Sequence, residues 1–595
     1  MKLSDYVIGF IEGLGATHAF MVVGGGMMHL AESLSRSKKI RYIPMHHEQA
    51  AAFAAEGYSR ATGIIGVAFC TTGPGGTNMV TGTVSSWVDS IPVLNVSGQA
   101  SSKKLIGNSG MRQVGVQEAD IVSIVRPITK YAVTVANEND IKYHLEKAAY
   151  LACNGRPGPV WIDIPLDIQA KEVNPTALRR FDPDAEFPKI RGESDVEESA
   201  RKIVEILKKS KRPLFIIGQG IRLAGAAKEF VQLAEQLRVP AVVSKNAYDI
   251  IPYGSPIQVG MGGINGQRPA NFAIQAADSV IVLGCRLSLP FIGYDGDKFA
   301  PKAEKVLVDI DKGQLDHATV PAELKINCDV HELVNKLAGM TSGPLSDTSG
   351  WLGRCQAWKS RYPGVLADWE NLQTCVNSYD FVKYVADNSP DDAFFVTDQG
   401  ASFYSPTQAM QLRKNQRFFT NGGIAAMGYG LPAAIGACFA INRSLICIHG
   451  DGGLQLNIQE LQTIIHNKLP VKLFVFNNQG YLSIKHTQMA YFGGHFVGAD
   501  PSSGLSCPDI IKIAQAYGFK TDRIANSLEL REKLGGILKS EGPIVVEVML
   551  DPLQQFIPKV QSEKKPDGTM VSKPLDDMYP YLDRETYANE KDFGE

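Results

Sequence analysis

The sequence predicts an α/β protein of three doubly wound parallel-sheet domains, and three observations carry that expectation. The first is length: 595 residues make three or four domains at roughly 150 residues each. The second is a rhythm of short apolar runs, among them PVWIDIP, PLFIIGQG, SVIVLGCR, KVLVDID, AFFVTDQG, SLICIHGDGG, VKLFVFNNQG and PIVVEVM. Each closes on glycine or polar residues and is separated from the next by a stretch of helical period. Such runs mark parallel sheets covered on both faces, where ligands gather at the carboxyl ends of the strands. The third is a pair of polar, proline-containing interruptions, from Asn174 and from Met340, that read as linkers.

Residues 1–185 make the first expected domain. After the first linker, Ser194 and Glu197 have capping-box spacing ahead of an apolar face of Val196, Ala200, Ile203, Val204 and Leu207. A middle domain is therefore expected over 194–340 and a third over 360–556. The polar tail, 557–595, reads equally as a lid over the site or as a disordered terminus. No repeat shows in the sequence.

Composition excludes several function classes. With 60 Lys and Arg against 62 Asp and Glu, the formal charge is −2, too balanced for a non-specific nucleic-acid or membrane-surface binder. At 44% hydrophobic and 21% charged residues, the chain is an ordinary globular one. Its nine cysteines are scattered and never form CxxC, so neither a disulfide framework nor a thiolate zinc site is expected. The first twenty residues lack a long apolar run or a cleavage site, and the longest apolar stretch, Leu431 to Ile441, is too short to cross a bilayer. A cytoplasmic protein is expected. The motifs GxSxG, HExxH and GxxxxGK[ST] are absent.

The chemistry concentrates in HGDGGLQLNIQELQTIIHNKLPVKLFVFNNQG, from His449 to Gly480. One strand delivers Gly450, Asp451, Gly452 and Gly453 at its tip, a helix follows, and a second strand delivers Asn477 and Asn478. The Asp451 carboxylate and the Asn478 side-chain oxygen are hard ligands suited to magnesium that also meets phosphate oxygens. The glycines admit phosphate to the backbone, and the following helix aims its positive end at it. By itself a lone GDG is as readily a tight turn.

GDG followed at this distance by NN resembles the thiamine diphosphate motif. The resemblance implies a magnesium ion that ties the cofactor diphosphate to Asp451, Asn478 and the carbonyl of Gly480, with Tyr481 and Leu482 beside it. It also implies an activating glutamate at the cofactor's aminopyrimidine, a role that suits a carboxyl of raised proton affinity in an apolar pocket. Glu48 in MHHEQAAAFAAEGYSRATG stands in that position, followed by TTGPGGTN with Gly73 and Asn78. The resemblance covers about residues 1–555 and is closest to the acetolactate synthase group. There Asn421 to Ala437 matches the cofactor-binding segment, with Gly423, Ala425 and Met427, the last as an apolar prop under the cofactor. GGGMMHL brings Gly25 and Gly26, and TDQGAS brings Gly400 with Ala401 and Ser402 in place of the group's usual glutamine and histidine. The resemblance further implies that Gln117 stands beside the reacting carbon and that the glutamate of one subunit serves the cofactor of its neighbour, which makes a homodimer the minimum expected unit, with homotetramers common in the family.

In the middle domain, Gly218 and Gly220 fit a plain sheet turn as well as a dinucleotide site. The resemblance adds FAD there, with contacts from Arg286 and Asp309, in a mainly structural role. Three departures bear on the substrate. The group's acceptor-binding arginine is replaced by Pro290 in GCRLSLPFIG, Val116 replaces a phenylalanine before Gln117, and QGYLSIKHTQMAYFGG alters the pocket wall. These resemble a subgroup that decarboxylates pyruvate and adds the two-carbon unit to a keto-deoxy sugar nucleotide, with His29, His47, Gln113, Lys485 and His486 as candidate acceptor contacts. The alternatives are an acetolactate synthase, a decarboxylase or oxidase of the same fold, and an inactive cofactor-binding scaffold.

Overall fold

The computed structural model describes residues 1–188, 190–564, 567 and 570–592. Three parallel six-stranded sheets organise the chain. The first contains β1 (His18–Met21), β2 (Arg41–Pro44), β3 (Gly66–Cys70), β4 (Val93–Gln99), β5 (Tyr131–Thr134) and β6 (Val160–Pro165), in spatial order β2-β1-β3-β4-β6-β5. The second contains β7 (Pro213–Ile217), β8 (Ala241–Val243), β9 (Gln258–Met261), β10 (Ser279–Leu283), β11 (Glu304–Asp309) and β12 (Leu324–Asn327), in order β12-β11-β10-β7-β8-β9. The third contains β13 (Phe394–Thr397), β14 (Arg417–Thr420), β15 (Leu445–Gly450), β16 (Val471–Asn477), β17 (Lys520–Ile524) and β18 (Ile544–Met549), in order β14-β13-β15-β16-β18-β17. Every residue of β3, β4, β6, β7 and β10 is buried, which a strand with helices on both faces requires.

The first and third sheets share one strand order, although the sequence shows no repeat between them. The middle sheet, counted from β7, has the 3-2-1-4-5-6 order of dinucleotide-binding sheets, with its reversal between β7 and β10. The first helix of this domain starts one residue later than the capping-box spacing implies. Asp195, not Ser194, caps Val196–Lys209 by accepting from the Glu198 amide. Ser194 Oγ instead accepts from the Asn327 amide (2.9 Å), tying the linker to β12.

The first and third domains share a core in which helix Glu48–Thr62 lies directly on helix Gly430–Ile441. The run AAAFAAEGY is almost all small because backbone meets backbone here. A Cβ on Gly57 would stand 2.1 Å from the Ala433 carbonyl oxygen, and one on Gly436 would stand 1.8 Å from that of Ala54. Gly436→Ala is therefore expected to destabilise the chain by about 1–3 kcal/mol through overpacking. A lowered denaturant midpoint is the readout, and an unchanged one would mean that the helices separate freely.

The described part of the tail packs mainly on the middle domain, and its first residues also bond to the third, where Gln408 Nε2 donates to the Pro558 carbonyl (2.7 Å). Val560, Leu575 and Met578 are buried with Phe272 and Trp358. Asn271 Nδ2 donates to the Leu575 carbonyl (2.9 Å), and the buried Glu590 carboxylate accepts from Trp358 Nε1 (2.6 Å), Tyr362 (2.8 Å) and Arg361. Among the described residues, no helix is long and apolar enough to cross a membrane.

Candidate active site

β15 and β16 are neighbours, so their tips lie side by side at the carboxyl edge of the third sheet. Asp451 is buried there. The amides of Gly452 (2.8 Å) and Gly480 (3.1 Å) donate to its two oxygens, and burial still pushes its carboxyl up to about 6. The Asn478 side-chain oxygen faces only oxygens, 3.2 Å from Asp451 Oδ1 and 2.7 Å from the carbonyl of Gly480. Turning the amide over would make two ordinary hydrogen bonds. With its oxygen forward, Asn478 stands 3.2 and 2.7 Å from those two oxygens, near the roughly 3.0 Å between neighbouring ligands of an octahedral ion with bonds of about 2.1 Å, and it is a bound cation, not the empty protein, that favours this orientation of the amide. One carboxylate, one amide and one carbonyl form a hard donor set. No group of three or more His, Cys, Asp or Glu suited to a metal occurs among the described residues.

The glycines of this edge have separate causes. A Cβ on Gly452 would strike the Tyr481 ring at 2.4 Å and one on Gly453 the Asp398 carboxylate at 2.2 Å, so these two are glycine for packing. Gly450 is different: its Cβ would meet nothing nearer than the Gln399 carbonyl oxygen at 3.7 Å, so packing does not require glycine there. Gly480 has φ +119° and lies under the Ala499 carbonyl. The helix expected after the GDG is only one turn, Asp451–Leu454, so its dipole adds less than the sequence pattern suggests. Leu482 opens helix Leu482–Phe492 beyond Tyr481.

In the first domain, Glu48 begins helix Glu48–Thr62 and is 9% exposed. Asn78 Nδ2 donates to its Oε2 (2.9 Å), and its Oε1 lies over Gly75. Gln117 takes a positive φ of 56°, and its carbonyl sits against Gly73, where any Cβ would clash at 2.1 Å. The residue that shapes this loop was missed by sequence reasoning. Glu118 is buried, and its carboxylate gathers the amides of Ile106, Val114 (3.0 Å) and Gly115 (2.8 Å). Val116 is left 84% exposed. Gly26 donates to Thr71 Oγ1 (3.1 Å), while Gly25 has open space at its Cα.

Within one chain, Glu48 makes no hydrogen bond or ion pair to the third-sheet cradle among the described residues; its partner is Asn78. The two halves are instead linked by a buried network. Glu56 accepts from Arg60 Nε (2.8 Å), Ser85 (2.5 Å), Ser86 (3.1 Å) and Tyr429 (3.1 Å). Arg60 also donates to Asp89 (2.6 Å), which accepts from the Gly422 amide (3.1 Å), while Asn421 donates to Ser85 (2.6 Å). This network holds the segment that carries Met427, itself 37% exposed. Gly400 has φ +73° and precedes helix Ala401–Ala409, in which Ala401 and Ser402 are buried and Ser402 Oγ donates to Gln399 O (2.8 Å). The two residues in place of glutamine and histidine therefore face the protein.

Of the candidate acceptor contacts, most are already engaged. His47 accepts from the Gln49 amide (3.1 Å), Gln113 donates to the Glu118 carbonyl (3.1 Å), and Lys485 is buried and donates to the Asn478 carbonyl (3.0 Å). His486 packs its ring on Phe556, and burial drops it to about 4. His29 is half-buried and makes no side-chain hydrogen bond among the described residues.

A cavity of about 690 Å³ lies at the carboxyl ends of the middle sheet, where the strand order reverses, and reaches the third domain. Gly218, Gly220, Arg286 and Asp309 line it, as do Gly423 and Ala425. Gly218 and Gly220 are glycine because the backbone of Gly284 crosses them, with Cβ clashes of 2.0 and 2.7 Å. Burial pushes Asp309 up to about 6. Sequence reasoning missed Lys245 and Asn246, which lie past the tip of β8.

The arrangement matches known proteins across the chain. Residues 1–124 match the family described as thiamine pyrophosphate enzyme, N-terminal TPP binding domain; residues 200–337 match its central domain, and 398–548 its C-terminal TPP binding domain. The chain belongs to the thiamine pyrophosphate enzymes. Its relatives place it among acetolactate-synthase-like members. It is 31% identical to the acetolactate synthase large subunit of Cyanidium caldarium, over 91% of this chain and 92% of that one. It is 32% identical to the probable acetolactate synthase large subunit of Methanocaldococcus jannaschii, over 93% of each. With the acetolactate synthase isozyme 1 large subunit of Escherichia coli, identity is 31% over 94% of this chain and 95% of the other.

Proposed function

We propose that the protein is a magnesium-dependent carboligase that takes a two-carbon unit from a 2-keto acid, foremost pyruvate, and joins it to a keto acceptor. The observation that carries this reading is the three-oxygen cradle of Asp451, Asn478 and Gly480 beside Gly450, where packing does not require glycine. These groups suit a divalent ion and a diphosphate. Thiamine diphosphate, when bound, supplies the electron sink on which a 2-keto acid loses carbon dioxide. Glu48, steadied by Asn78, holds the proton that the aminopyrimidine exchanges. Met427 offers its exposed side chain as apolar support, and the reading gives Gln117, exposed on its loop, the part of a polar group beside the reacting carbon. Glu48 makes no bond to the cradle of its own chain among the described residues, and the reading includes a homodimer, or a pair of dimers, in which each Glu48 serves the neighbouring cradle.

The acceptor that the relatives favour is a second 2-keto acid, which makes the activity that of an acetolactate synthase. One observation supports a second reading. Pro290, in the one-turn helix Leu289–Ile292 that lines the middle cavity, takes the place that the resemblance gives to a carboxylate-clamping arginine. A neutral wall there suits an acceptor without a carboxylate, such as a keto-deoxy sugar nucleotide. Labelled pyruvate given alone tests the first reading by label in acetolactate. Label that moves only when a keto sugar nucleotide is added supports the second, and no carbon dioxide release under either condition overturns both.

FAD in the middle cavity completes the proposal. Its support is the 3-2-1-4-5-6 strand order, the cavity at the reversal point, and glycine-lined tips on β7 and β10 that admit a pyrophosphate. Asp309, at the end of β11, is placed for a ribose hydroxyl.

A further inference from the structure

The third-domain end of this cavity carries polar groups that the protein leaves unmatched. Lys245 Nζ stands 3.3 Å from the ring centroid of Phe403 and 5.3 Å from that of Tyr404. Among the described residues it has neither an acceptor nor an ion-pair partner, and burial alone pulls it down to about 7. The next side chain, Asn246, has its Oδ1 buried without a donor. Both line the cavity with Gly422 and Gly423, and Gly422 lies directly against the Asn246 side chain, where a Cβ would stand 2.4 Å from Oδ1.

Contact with one aromatic face is worth about 0.5–2 kcal/mol to an ammonium. Lys245 is half-buried in the empty cavity, and a ligand that fills the cavity completes its removal from water, a cost of several kcal/mol that the rings do not balance. A bound group that does so must be flat enough to lie among Phe403, Tyr404 and the Gly422–Gly423 backbone. It must also present an acceptor to Lys245 beside a donor to Asn246. The opposite end of the cavity, at the tips of β7 and β10, is lined by glycine backbone and takes a different part of the same ligand. A flavin ring has the required edge: its N1 and C2 carbonyl accept, and the adjacent N3–H donates. Negative charge that arises on reducing the ring settles at N1 and C2=O, where a cation counts most.

We propose that Lys245 and Asn246 form the subsite for the pyrimidinedione edge of a flavin ring, with Lys245 against N1 and the C2 carbonyl, where it raises the flavin's reduction potential. This rests on the reading that FAD fills the cavity, and the experiment separates the two. Full-length protein is stripped of flavin and titrated with FAD and, separately, with ADP; the midpoint potential of the reconstituted flavin is measured by dye equilibration. In Lys245→Met, FAD affinity falls about tenfold or more, the scale of one lost hydrogen bond to a charged group. ADP, which needs only the glycine-lined end, binds unchanged, and the potential moves negative. Lys245→Gln restores part of the affinity and none of the potential, and carries the same comparison should the methionine variant lose ADP binding through misfolding. Asn246→Ala weakens FAD several-fold and spares ADP. If wild type binds FAD but the Lys245 variants keep both its affinity and its potential, the subsite is overturned while FAD stands. If wild type binds no FAD, both readings fall.

Discussion

Replacing Glu48 by glutamine is expected to lower turnover of pyruvate by about 10²–10⁴-fold, the contribution of a positioned acid or base, and to leave cofactor binding nearly intact. Glutamine is the same shape as glutamate, and its side-chain oxygen accepts from Asn78 Nδ2 as Oε2 does at 2.9 Å. The first turn of helix Glu48–Thr62 loses a carboxylate at its positive end, a change of about 0.3–1 kcal/mol, so the fold survives. What disappears is the ability to hold and release a proton at this atom. Turnover measured by carbon dioxide release, beside calorimetric titration of thiamine diphosphate with magnesium, separates the two effects. Wild-type turnover in this variant would remove Glu48 from the chemistry, and loss of cofactor binding in step with turnover would make its role one of shape.

The fold was legible because a parallel strand announces itself locally. Runs such as SVIVLGCR and VKLFVFNNQG are buried on both faces and stop at glycine or polar residues, and each is a strand of a sheet. The cradle was legible for the same reason: Asp451 and Asn478 are strand-tip residues of adjacent strands, separated by a single crossover. Strand order is a non-local property, and the identical order of the first and third sheets left no trace in the letters. The Glu56–Arg60 pair shows another limit. At i,i+4 it reads as a solvated surface pair, yet both groups are buried because a second helix covers that face. Its only sequence signal was the alanine-rich run around it. Lys245 sits in SKNAY, which reads as an ordinary polar turn; the Phe403 ring that its ammonium sits over arrives from another domain. Glu118 follows Gln117 like any loop acid, and only the three amides folded around it reveal its function.

Asp451→Asn is expected to weaken magnesium-dependent thiamine diphosphate binding by at least about 100-fold, more than the effect of losing an outer partner of a metal ligand. Of the three converging oxygens, only the Asp451 carboxylate carries charge; Asn478 and the Gly480 carbonyl are neutral and cannot offset a divalent ion alone. The same carboxylate is costly to the empty protein, because burial pushes it up to about 6 in spite of the Gly452 and Gly480 amides. The two effects therefore have opposite signs. At neutral pH the unliganded variant is expected to melt no lower than unliganded wild type, while the rise in melting temperature on adding cofactor with magnesium vanishes. A chelator should bring wild type to the variant's cofactor affinity and leave the variant unmoved. Cofactor affinity in Asp451→Asn that equals wild type and still responds to chelation would place the ion elsewhere. A variant that melts well below wild type without ligand would show the carboxylate to be a support of the fold instead of a ligand held at its expense.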